Sequence, residues 1–119
     1  MCKQPIPQVT DNDVKRIAFR DFGEAQLFQA LSILVEFGKQ EWNTPSARVQ
    51  LAILKLANGD LNKLMDHTKT AIKDFRDVLS AAEYPRYSRE IAFDEVDKDY
   101  KRAVIDEDWR QYRVWLERE

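Results

Sequence analysis

The chain has 119 residues, 44% of them apolar and 34% charged, with three glycines and four prolines. That is the length of one domain, apolar enough to fold around a core and too poor in turn residues for a β-sandwich. Nineteen basic against 21 acidic residues leave a net charge of −2, so bulk charge draws the chain to neither nucleic acid nor membrane, and the lone cysteine, Cys2, can make no internal disulfide or multi-cysteine metal site.

Residues 1–9, with Pro5 and Pro7, read as an extended arm. They hold no apolar export leader, Cys2 stands where N-myristoylation needs glycine, and no apolar run approaches the roughly 18 residues of a membrane span, so the expected location is the cytoplasm. A first short helix is expected over about 11–21, capped by Thr10 with Asp13 at N3 and burying Val14, Ile17 and Ala18. Gly23 breaks the pattern before a second helix, Glu24 to Phe37, with Leu27, Phe28, Leu31, Leu34 and Val35 as a broad apolar face and Gly38 as the positive-φ residue that ends it.

Thr44 and Pro45 form the strongest helix start in the chain, an N-cap followed by proline at N1. The helix from Ala47 to Ala57 is apolar on most sides, leaving Arg48, Gln50 and Lys55 as polar exceptions, which places it at the centre of the fold. Asn58, Gly59 and Asp60 then supply an αL-tolerant residue, a C′ glycine and an N-cap in succession, joining it to the next helix as an αα-hairpin. In that next helix Leu61, Met65, Thr68, Ile72, Phe75, Leu79 and Ala82 trace one stripe, ended by Pro85 acting on Tyr84. Residues 86–93 read as a loop with Ile91 and Phe93 turned inward. A last helix is expected from Asp94 to Glu117, with Val96, Tyr100 and Ala103 on one stripe, Ile105, Trp109, Tyr112 and Leu116 on another, and a kink near Val104 where the two lose phase. The fold class is therefore all-α: a single-domain bundle of about five helices around a central αα-hairpin.

Motifs for chemistry are sparse. His67, the one histidine, is expected on the surface, and with Cys2 it falls short of the three or four ligands of a zinc site. No GxSxG, Walker or GxGxxG pattern occurs, and no cofactor is implied. Asp97 and Asp99 imitate the opening of a calcium loop, but Lys101, Arg102 and Asp108 stand where that loop needs an oxygen ligand, a glycine and a glutamate. Lys69, Lys73 and Arg76 share a helix face, yet Asp66, Asp74 and Asp77 sit beside them and no aromatic platform accompanies them, so nucleic-acid binding is not expected.

Aromatic residues are the more informative feature. Tyr84, Arg86 and Tyr87 cluster after the fourth helix, and Trp109, Tyr112 and Trp115 crowd the last. Trp115 lies about 120° round the helix from Trp109, at the margin of the buried stripe, which makes it, with Tyr84, Arg86, Tyr87, Arg110 and Arg113, the candidate interaction surface. The expected function is contact with a protein partner or a second copy of the chain. Two alternatives stand beside it. One is a small-molecule or enzymatic pocket between helices, using Asp74, Asp77 or Glu83. The other is an immunity-type antagonist of a basic partner, since residues 90–119 hold ten acids and six bases.

Three blocks, Arg48–Asp60, Asp74–Pro85 and Asp108–Leu116, resemble a set of small uncharacterised bacterial helical proteins of unknown function. The resemblance spans most of residues 48–116 and implies a bacterial source and a recurring helical fold, with no activity, cofactor or catalytic residue attached.

Overall fold

A computed structural model describes residues 6–38, 46–91 and 97–118. Helix forms where caps and apolar periodicity coincide, giving α1 (Asp11–Leu34), α2 (Ser46–Ala57), α3 (Leu61–Glu83) and α4 (Lys98–Glu117), with a π-helical turn at Tyr87–Ile91 before α4. The described residues hold no strand, and the helices form an all-α bundle around the α2–α3 hairpin.

At its start α1 follows the expected capping: the Asp13 carboxylate accepts from the Thr10 N–H at 3.0 Å. Ahead of it, the end of the arm is docked rather than free, with Pro7 buried and Val9 packed against the core; Cys2 and Pro5 lie outside the described residues. The break expected at Gly23 is present and divides α1 into two helical stretches. Gly23 takes φ 72°, ψ 173°, and helix resumes on either side of it without an intervening loop. The second half of α1 buries Ala30 and Leu34 but leaves Phe28 and Val35 in solvent, because that half packs along a face narrower than its apolar residues. Past Leu34 the chain tightens into a turn closed by Gly38 at φ 125°. Gln50 of α2 donates its side-chain amide to the carbonyls of Leu34 at 3.1 Å and Phe37 at 2.8 Å, satisfying acceptors that the helix end leaves open.

Helix α2 buries Val49, Leu51, Ala52, Ile53, Leu54 and Ala57, as expected of a central helix. The Thr44–Pro45 start lies outside the described residues. At the hairpin Asn58 and Gly59 both take positive φ (50° and 81°), and the Asp60 carboxylate accepts from the N–H groups of Asn62 and Lys63. A Cβ on Gly59 would meet the carbonyl oxygen of Asp21 at 3.1 Å, so this turn is backed directly onto α1.

In α3 the single stripe is corrected. The buried line runs through Leu64, Thr68 and Ala71, then Val78, Leu79, Ala82 and Glu83, while Met65 and Ile72 remain partly in solvent. A kink at Asp74 (φ −154°, ψ 95°) separates the two stretches, and the Asp74 carboxylate accepts from the Arg76 N–H at 3.1 Å, capping the second stretch afresh. His67 is half-buried rather than exposed. The helix stops at Tyr84 as expected.

Residues 87–91 wind into a π-helical turn where a loop was expected; the inward placement expected of the Ile91 and Phe93 side chains lies outside the described residues. Helix α4 runs without the kink expected near Val104. The phase conflict disappears because Tyr100 and Ala103 are exposed, so only the stripe from Val104 onward has to face the bundle; Val96 lies outside the described residues. Its carboxy-terminal turn carries no cation of its own and takes two from α1 instead. Arg16 donates to the Leu116 carbonyl at 2.8 Å, and Arg20 donates to those of Trp115 at 2.6 Å and Arg118 at 2.7 Å.

Candidate functional site

Polar chemistry inside the fold gathers where α2, α3 and α4 meet. Arg48, one of the polar exceptions on α2, forms a two-pronged ion pair with Glu83 at the end of α3, Nε to Oε2 at 2.9 Å and Nη2 to Oε1 at 2.7 Å. The Glu83 carboxylate is 1% exposed. Asp108 of α4 is also buried and accepts from the Tyr87 N–H at 2.9 Å, tying the π-helical turn to α4.

Two buried phenols lie in the same region. Burial first, and the Glu83 carboxylate second, push the Tyr84 and Tyr112 hydroxyls far above the ordinary tyrosine range, so both stay protonated. The Tyr112 hydroxyl has no hydrogen-bond partner among the described residues. Lys55 is shifted downward by desolvation, against the pull of Asp108.

This arrangement binds helices together more than it offers chemistry. A general base needs an uncommitted carboxylate or imidazole in reach of a nucleophile, and Glu83 is held at both oxygens by Arg48. Asp74 caps a helix stretch and pairs with Arg76, while Asp77 lies exposed on the same helix. Among the described residues no group of three or more His, Cys, Asp or Glu side chains is placed to hold a metal ion.

The six residues of the expected interaction surface divide. Tyr84 is 2% exposed and belongs to the interior. Tyr87 is half-buried beside α4, and the exposed Arg86 donates to the Tyr100 hydroxyl at 3.1 Å. Arg110 and Arg113 are exposed and pair within their own helix with Glu107 and Glu117. Trp115 turns away from these residues toward α1: it is half-buried against the core, 5.6 Å centroid to centroid from Tyr112, with the Arg20 guanidinium 5.2 Å above its ring. Trp109 stacks on the other side of Tyr112 at 6.1 Å.

A second surface lies between the latter half of α1 and the first half of α3. Ser32 and Ile33 from α1, Glu36 from the turn after it, and Met65, Thr68, Lys69 and Ile72 from α3 wall an open groove of about 420 Å³. Beside it, one helical turn before Ser32, Phe28 is 81% exposed. Sequence periodicity assigned Phe28, Met65 and Ile72 to the core, since an apolar residue at the edge of a stripe reads the same whether a neighbouring helix covers it or not. No protein-family model matches this chain, and neither the curated proteins nor the solved structures contain a match to it.

Proposed function

We propose that the protein works by binding protein surfaces, in the cytoplasm of a bacterium, rather than by catalysis. The observation that carries this reading is the α1–α3 groove: Ile33, Met65 and Ile72 line it and the nearly naked Phe28 ring stands at its side. Single exposed apolar residues are ordinary, but several on one face, with an open trough among them, mark a contact surface. Two of the three carboxylates that an enzymatic reading would use support it, because Glu83 is neutralised by Arg48 and Asp74 is spent on helix geometry.

The test is a photo-activated cross-linking residue placed at Phe28 and, as a control, at Lys98 on the exposed start of α4. Irradiation of living cells should give one or a few discrete protein adducts from position 28 and none of the same mass from position 98. Equal, diffuse labelling from both positions would overturn the reading.

A further inference from the structure

The shape and lining of the groove select what can lie in it. On α3 the lining residues Met65, Thr68, Lys69 and Ile72 recur at i, i+3, i+4 and i+7, the spacing by which one helix faces another. From Met65 to Ile72 the trough runs for about 10 Å, two turns of helix. An extended segment laid there would bring backbone N–H and C=O groups onto apolar side chains, and the described residues hold no strand whose edge could receive them. A helix arrives with its backbone bonds already made within itself.

The two rims differ in chemistry. Along α1 the rim is apolar: Phe28 and Val35, i and i+7, are 81% and 51% exposed. Along α3 it is cationic. At 100° per residue Lys69 and Lys73 lie about 40° and 80° round the helix from Met65, on the side away from the buried Leu64 and Ala71. Both are exposed, and neither has an ion pair among the described residues; Asp66 is the one acid on that rim. Glu36, by contrast, already has an interaction of its own. The uncommitted charge at the groove is therefore positive and confined to the α3 side. We infer that the occupant is an amphipathic α-helix of a partner protein, its apolar stripe in the trough and against Phe28, with acidic side chains on the flank that faces Lys69 and Lys73. This names the partner's chemistry within the reading above and rests on it.

The cross-linking residue at position 28 supplies the test when its adducts are mapped by mass spectrometry. The labelled site should fall in another protein, in a segment with apolar residues at i, i+3, i+4 and i+7 and Asp or Glu along one flank. Lys69→Glu with Lys73→Glu, at two solvated side chains, should cut the adduct about tenfold or more with the melting temperature unchanged, while Lys69→Arg with Lys73→Arg should keep it. A synthetic peptide of the labelled segment, followed by fluorescence anisotropy, should show the same loss, and the peptide with its acids changed to lysine should bind the Glu variant better than the unaltered protein. Labelling in this chain itself or in a segment without that pattern, an adduct indifferent to charge reversal, or a charge-exchanged pair that fails to bind would each overturn the inference. Discrete adducts would then leave the broader reading standing, and their absence would remove both.

Discussion

Removing one side of the Arg48–Glu83 pair should be costly, and the cost should depend on which side is removed. In Arg48→Met the Glu83 carboxylate, 1% exposed, keeps its place among apolar atoms with both donors gone. An uncompensated buried charge of this kind costs about 3 kcal/mol or more, which for a chain of this length corresponds to a fall of roughly 12 °C in melting temperature. In Glu83→Leu the group left behind is the Arg48 guanidinium, whose side chain is 22% exposed and can turn outward to water. There the loss should be nearer the ~1.5 kcal/mol of a charged hydrogen bond. Replacing both, Arg48→Met with Glu83→Leu, removes the orphan together with its partner and should return stability to within about 1 kcal/mol of the starting protein. Urea denaturation with linear extrapolation measures all three on one scale. Equal losses in the two single variants, or a double variant that loses their sum, would refute the assignment of Glu83 as a desolvated carboxylate held by Arg48.

Tyr112→Phe should leave stability unchanged or raise it by up to about 1 kcal/mol, because the hydroxyl it removes is buried and finds no partner among the described residues; a clear loss in thermal melts would show that the hydroxyl does make a bond. Ile53→Ala, at a fully buried position on the central helix, should cost about 2–5 kcal/mol, and Leu56→Ala, at a half-buried one, less, both read by the same denaturation experiment. The Glu107 carboxyl, hydrogen-bonded first by Arg110 and then by Gln111, is lowered to about 2 from an ordinary 4.5. Its folded value lies below its unfolded one, so its contribution to stability is present above about pH 4.5 and fades as the pH falls toward 2; carboxyl resonances followed by NMR should show this, with Arg110→Gln moving the titration upward.

Much of the fold was legible because its signals are local. The Asn58–Gly59–Asp60 turn, the break at Gly23 and the stop before Pro85 each depend on the conformational range of one or two residues, and those ranges belong to the residue itself. What escaped depends on what lies opposite. Arg48 stood out as a polar residue on an apolar helix, but nothing in its neighbourhood names Glu83, 35 positions away, as the partner. Phe28, Met65 and Ile72 fit apolar stripes equally well with or without a covering helix. Trp115, read as presented at the margin of the α4 stripe, packs half-buried against the core instead, because the arginine that covers it comes from α1 and is invisible to any reading confined to one helix.

The contacts from Arg16 and Arg20 to the end of α4 span 95 to 100 positions of the chain. Contacts of that span close the largest loop the molecule possesses, and such closure is entropically slow relative to the neighbouring α2–α3 hairpin, whose partners are only a turn apart. Folding should therefore be ordered, with the hairpin forming early and recruiting α1, and α4 arriving last to seat its carbonyls on arginines already in position. During synthesis those two arginines emerge about a hundred residues before the groups they bind. Throughout that interval the seat for Trp115 on α1 stands open to water, which makes it the first place where a delayed or shortened chain would meet the wrong partner.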